Sequence, residues 1–256
     1  MDFPLIYCNG DSYSDENYLP ELKGNIFVDF VAKPYNGFVI NKSISGSCNR
    51  RILRTATHDL IQQRQLNPDQ HIVALINLSF ELRSEVWIEG SETDRSEESQ
   101  FKPWIFTTML NWRERLLGGK DIGPAHRWGG DKKFLRKYSE GRAYFYSPYA
   151  EKINLYTDII NFKNTLDSLN IKFLIFRSVA TEETQEEYLL DFLRQEIDKD
   201  KRVLDIEKFS WIPRASEQFV PLDMQDRPEI GHHGPDAHKE FAESVLIPML
   251  EETNQI

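Results

Sequence analysis

The sequence is short of cysteine: Cys8 and Cys48 are the only two in 256 residues. Two thiols build no disulfide framework and stand in no metal-ligand spacing, so a reducing compartment fits, and both read as small buried fillers. Long apolar runs are missing too. No stretch approaches the roughly 20 residues that a membrane-spanning helix needs, which predicts no membrane span. The opening Met-Asp-Phe-Pro-Leu-Ile-Tyr-Cys lacks the basic start, long apolar stretch and small-residue cleavage site of a secretory signal, and a cytoplasmic location is the expectation. Positive charge is scarce: 31 Lys and Arg stand against 41 Asp and Glu, a net charge of −10, with no basic stripe. That balance argues against nucleic acid and against anionic membrane surfaces, both of which need clustered Lys and Arg. No repeat and no Pro- or Ser-rich linker divides the chain. No Gly-x-Gly-x-x-Gly follows the first apolar run, which excludes a dinucleotide-binding Rossmann protein.

What is present is an ordinary globular composition, 40% hydrophobic and 12% aromatic, on a chain long enough to bury a full core. A single domain over 1–256 is expected. Pro4 to Cys8 reads as a strand that stops at Asn9-Gly10-Asp11-Ser12, and Ile26 to Val31 reads as a second strand. Ile52, Leu53, Ala56, Leu60 and Ile61 fall at helical spacing, with Asn49 or Ser47 placed to cap the helix. His71 to Asn77 and Ile171 to Phe176 are continuous apolar runs of the kind found in strands buried on both faces. Ser147-Pro148 opens a long helix carrying Leu155, Ile159, Phe162, Leu166 and Leu169 on one face. Thr181 to Gln195 reads as a helix and Val203 to Ile206 as a short strand. A terminal helix runs from about Asp236, with Pro248 marking its end or a kink. Strands alternating with helices predict an α/β layered domain with a mostly parallel sheet.

Residues 88–147 break that alternation and read as an insertion after a central strand. Acidic residues crowd between Glu81 and Glu98, and the insertion begins with the stretch Gly90 to Gln100, which reads as a solvated loop. It also holds a helical-looking Thr107 to Leu117, a Gly-rich break, and the aromatics Trp104, Trp112, Trp128 and Tyr144-Phe145-Tyr146. Lying on the side where strand C-termini open, the insertion can form a lid or a substrate wall. Its aromatics suit its own small core better than a sugar platform.

Gly10-Asp11-Ser12 places a hydroxyl at the end of the first strand, the edge where open α/β sheets bind ligands, with Gly10 permitting a tight turn. The same tripeptide also suits an ordinary Asx- or Ser-turn. Serine needs a base to take its proton, and of six histidines His232, His233 and His238 gather before the last helix. With Asp236 these three are dense in metal ligands, yet adjacent His-His and the two-residue step to His238 repeat no structural zinc spacing.

Three segments in order resemble the conserved blocks of SGNH (GDSL-type) serine hydrolases: Leu5 to Ser14 around Gly10-Asp11-Ser12, Ser45-Gly46-Ser47-Cys48-Asn49-Arg50-Arg51-Ile52, and Glu229 to His238. The resemblance covers both ends of the chain and leaves its middle unmatched. It implies a three-layer α/β/α, flavodoxin-like fold with Ser12 as nucleophile and Gly46 donating a backbone N–H to the oxyanion. It also implies His232 as base, from its position five residues before Ala237, with Glu229 three residues ahead as the acid. Two departures stand out. The third block normally ends in Gly-x-Asn-Asp; here the strand ends Ile76-Asn77-Leu78-Ser79-Phe80, so Ser79 takes the place of the oxyanion asparagine, with Asn77 in reserve. The acid is glutamate where the family has aspartate, and Asp226 and Asp223 are alternatives. His233 is the second choice of base. His238 falls inside the last helix, as a satisfied surface or boundary residue.

These roles imply a serine esterase that forms an acyl-enzyme on Ser12, with no cofactor and no metal. Its substrate is a small-molecule or saccharide ester, with carbohydrate O-deacetylation preferred. The alternatives are an acyltransferase, a lipid or thioester hydrolase, or a non-catalytic carbohydrate- or partner-binding module on the same scaffold. Oligomeric state is left open by the sequence.

Overall fold

A computed structural model describes residues 3–79, 83–87, 104–108, 147–178, 188–205, 209–223 and 231–256. Four of its strands form one parallel sheet: β1 (Leu5–Asn9), β2 (Phe38–Asn41), β3 (Ile72–Leu78) and, last in the chain, β6 (Lys172–Arg177). Their order in space is β2-β1-β3-β6, and a parallel bridge from Ile175 to Val203 continues the row beyond β6. This is the flavodoxin-like order, in which the chain steps one way from β1 to β2 and the other way to β3. The switch point, where sheets of this order bind ligands, therefore lies beyond the C-terminal ends of β1 and β3. Two further strands, β4 (Arg83–Trp87) and β5 (Trp104–Thr108), pair antiparallel outside this sheet.

Alternation along the buried strands divides the core into two layers. Leu5, Tyr7, Ile72, Ala74, Ile76, Phe173 and Ile175 face one side, packed under α2 (Asn49–Leu66) and α3 (Pro148–Ser168) through Ile52, Ala56, Leu60, Ile159, Phe162 and Leu166. Ile6, Cys8, Val73, Leu75, Leu174 and Phe176 face the other, against α1 (Phe27–Ala32) and the last helices. Each fully buried Leu, Ile or Phe stabilises the fold by about 1.5–3 kcal/mol, and the centres of the strands that contribute to both layers are apolar, with buried Asn9, Asn77 and Arg177 placed toward their C-terminal ends. Among the described residues the remaining α-helices are α4 (Tyr188–Asp198), α5 (Trp211–Ser216), α6 (Pro235–Phe241) and α7 (Ile247–Glu252). The result is the expected three-layer α/β/α arrangement, and among the described residues no helix is long and apolar enough to cross a membrane. Both cysteines are buried and free.

Several elements differ from the sequence reading. Ile26 to Val31 is not a strand: Phe27–Ala32 is helical, because Asp29 in the first turn accepts the backbone N–H of Ile26 at 3.0 Å and Phe27, Val28 and Val31 then share a buried face. The second strand is β2, four residues at the sheet edge, with Phe38 65% exposed. Cys48, not Ser47 or Asn49, occupies the cap position of α2. Ser47 Oγ instead donates to Ile44 O, and the Asn49 side chain reaches Ser79. Val203 makes a single bridge and no strand. Pro248 does not end the terminal helix, which continues to Glu252; a wider π-type turn over Ala242–Leu246 precedes it, where the missing proline N–H and the bulk of its ring are accommodated. Thr107 and Thr108 lie in β5, so the helix expected from Thr107 does not begin there. The acidic stretch and the rest of the 88–147 insertion, apart from β4, β5 and Ser147, lie outside the described residues, as do 179–187 at the expected start of α4.

Candidate active site

Beyond β1 the chain makes a turn in which Ser14 N–H donates to Asp11 O at 3.0 Å and Tyr13 N–H to the Asp11 carboxylate at 3.2 Å. The Asx-turn that competed with a nucleophile turn in the sequence is thus the device that holds Ser12 at the edge of the sheet, 4% exposed. Gly10 is needed for close approach: a Cβ there would lie 2.6 Å from Ser14 Oγ and 3.1 Å from the carbonyl oxygen of Asn77. The loop after β2 is tied to the same turn. Ile44 N–H donates to Gly10 O at 3.2 Å, Ser45 N–H to Asp15 Oδ2 at 2.9 Å, and Asn41 Nδ2 to Ser14 O at 2.8 Å. Gly46 follows with φ 85°, a left-handed conformation that suits glycine.

His232 arrives from the other end of the chain. Residues 221–223 fold back on it: Leu222 N–H donates to His232 O at 2.7 Å, and His232 N–H donates to Asp223 Oδ1 at 2.8 Å. The imidazole Nδ1–H then points at both oxygens of Asp223, 3.0 and 3.1 Å away. A carboxylate only accepts, so this contact fixes the proton on Nδ1 and leaves the lone pair on Nε2, the form a general base needs. Tyr13, the residue after Ser12, stacks on the His232 ring with centroids 4.6 Å apart. That contact brings the histidine to the serine turn.

The other candidates fall as follows. Glu229 and Asp226 lie outside the described residues; the acid found at His232 is Asp223, one of the two alternatives to Glu229. Ser79, at the C-terminal end of β3, donates its hydroxyl to Asp11 Oδ2 at 2.8 Å, while its backbone is held by Asn49 through 2.6 and 3.0 Å bonds. A hydroxyl has one proton, so in this arrangement Ser79 braces the Asp11 turn and does not donate to an oxyanion. Asn77, the reserve donor, is fully buried: its amide donates to Ser14 Oγ at 2.6 Å and accepts from Ser178 Oγ at 2.8 Å. It forms the floor of the site.

The three histidines diverge. His233 is buried, bonded to the backbone of Gly231 and Phe219, and desolvation with the nearby His232 holds its pKa down. His238 is not a surface or boundary residue but a core one, 1% exposed among Phe27, Trp211 and Phe241 on the helix side. Its Nδ1 accepts from Phe27 N–H at 3.4 Å, and burial, followed by His233 and His232, pushes its pKa down to about 3. Among the described residues no three His, Cys, Asp or Glu are grouped to hold a metal ion.

Burial of neutral His238 has a measurable consequence. An unfolded histidine takes its proton near pH 6.5 and the folded one only near 3, so the unfolded state binds more protons between these values and stability is lost as pH falls through that window. We expect a slope of up to about 1.4 kcal/mol per pH unit from this residue. Urea midpoints at pH 7 and pH 5 measure it, and His238→Phe should flatten the difference; identical slopes in the two proteins would remove His238 from the acid limb.

No family model matches the chain, and no curated protein matches it. Solved structures do. An esterase from the psychrotrophic Pseudoalteromonas sp., inhibited by monoethylphosphonate, is similar over 98% of both chains at 11% identity, with a TM-score of 0.47. A member of the lipolytic G-D-S-L family from Veillonella parvula is similar over 95% of this chain and 96% of its own, at 12% identity and a TM-score of 0.40. Both scores are low, and what the site can do follows from its own side chains.

Proposed function

We propose that the protein is a serine ester hydrolase in which Ser12 attacks the carbonyl, His232 takes its proton through Nε2, and Asp223 orients the imidazole and stabilises the imidazolium. The observation that carries this reading is the Asp223 carboxylate on His232 Nδ1, with that ring stacked on the neighbour of Ser12 at the crossover of the sheet. The backbone N–H groups of Ser12 and Gly46 are the donors for the tetrahedral oxyanion, and the acyl group then leaves Ser12 to water. With its hydroxyl turned to Asp11, Ser79 does not serve as the side-chain donor of the hole, and loss of one such donor in other hydrolases lowers turnover by about 10²- to 10³-fold. A slow esterase is the expectation. The substrate class proposed is a small or saccharide-borne ester, acetyl esters first.

A fluorophosphonate probe tests the chemistry directly. It should add one phosphonyl group to the protein, on the peptide that contains Ser12, as read by mass spectrometry. A folded protein that never labels would favour the non-catalytic binding module, the reading that the engaged Ser79 hydroxyl supports.

A further inference from the structure

We infer that Tyr18 is a positioning residue of this site: its ring covers one face of His232 while Tyr13 covers the other, and the pair holds the imidazole on Asp223 and favours the positive charge that it carries during acyl transfer. The inference rests on the assignment of His232 as base. The Tyr18 ring lies 4.1 Å from the imidazole, centroid to centroid, at 35°, and the Tyr13 ring lies 4.6 Å away at 23°. Two rings with centroids this close to a third, one stacked and one tilted over it, have no room side by side on one face, so the imidazole lies between them. Aromatic faces carry negative potential, and a cation within about 6 Å of a ring centroid is attracted to it.

Tyr18 is held there by its own turn. Its N–H donates to Asp15 O at 3.0 Å, and the Asp15 carboxylate receives Ser45 N–H, so the loop carrying Gly46 and the tyrosine share one anchor. The hydroxyl of Tyr18 lies 3.5 Å from Asp223 Oδ2, a long contact that adds little. The ring is therefore the working part. Asp223 faces His232 at Nδ1, Tyr13 and Tyr18 lie on its faces, and His233 and His238 are the titratable groups near enough to feel its charge. Sequence reasoning had no signal for this role, because Tyr18 lies 214 positions from its partner in the chain.

The test compares Tyr18→Phe, Tyr18→Leu and Tyr18→Ala. The phenylalanine keeps the ring and should keep kcat within about threefold. Leucine and alanine should lower kcat by about 10- to 100-fold, with KM changed by no more than about twofold, since orientation of the base is lost and substrate binding is not. Leucine keeps bulk over the imidazole but has no aromatic face, so an NMR titration of His232 in that variant should move down by about half to one pH unit. An unchanged titration, or an unchanged kcat, in the folded leucine variant overturns the inference. A wild-type protein that neither turns over an ester nor labels overturns the hydrolase assignment instead, and the titration still reports whether the ring acts on His232.

Discussion

Alanine at position 12 is expected to lower the turnover of a small acetyl ester by about 10⁴- to 10⁶-fold, the range in which loss of a serine nucleophile leaves only binding and oxyanion stabilisation. The loss should fall on kcat, because the acyl-enzyme cannot form, and substrate should still bind. The fold should survive. Ser12 sits at the tip of a turn whose bonds come from Asp11, Tyr13 and Ser14, so removing its oxygen leaves the turn intact. Turnover of 4-nitrophenyl acetate, measured beside a thermal melt, decides the point; wild-type rates in a folded Ser12→Ala protein would remove the residue from the mechanism.

The second large effect is expected at Asp223. Asparagine there retains the shape but offers an amide N–H to the imidazole as readily as an oxygen, so Nδ1 is no longer held protonated and Nε2 no longer has its lone pair free for Ser12. A loss of about 10²- to 10⁴-fold in kcat follows. Stability should change little, since the Asp223 side chain is 28% exposed and lies at the rim. Glu229→Gln is the matched control, expected to stay within about threefold of the wild type. The opposite pattern, a silent Asp223→Asn and a dead Glu229→Gln, would return the acid role to Glu229.

Much of the fold was legible because burial on both faces leaves a simple trace. The centres of β1, β3 and β6 are apolar runs, and Ser147-Pro148 writes the start of α3 into the sequence; Ser147 Oγ indeed accepts from Ala150 N–H. Failures came where that trace is ambiguous. Ile26 to Val31 is apolar enough for a strand, and only Asp29 turning back on the N–H of Ile26 decides for a helix. β2 is short and half exposed, so its pattern is faint. Within the site, Ser12, Gly46 and His232 stand on elements that the chain order makes adjacent. Asp223 was harder to choose, since its contact depends on residues 221–223 folding back on His232, and a three-residue spacing pointed to Glu229. The Ser79 hydroxyl was read by position, yet position says nothing about which acceptor takes its proton.

The chain of bonds from Ser14 through Asn77 and Ser178 to Trp211 joins the ends of β1, β3 and β6 under the nucleophile turn. For anyone wishing to broaden what the protein accepts, this divides the molecule into a chassis and a replaceable front. Changes at the four linked positions would disturb three loops at once, because each polar group is saturated by the next. Libraries are better aimed at exposed residues next to Asp223 in the chain, such as Val220 and Leu222, whose side chains can be exchanged without loosening that foundation.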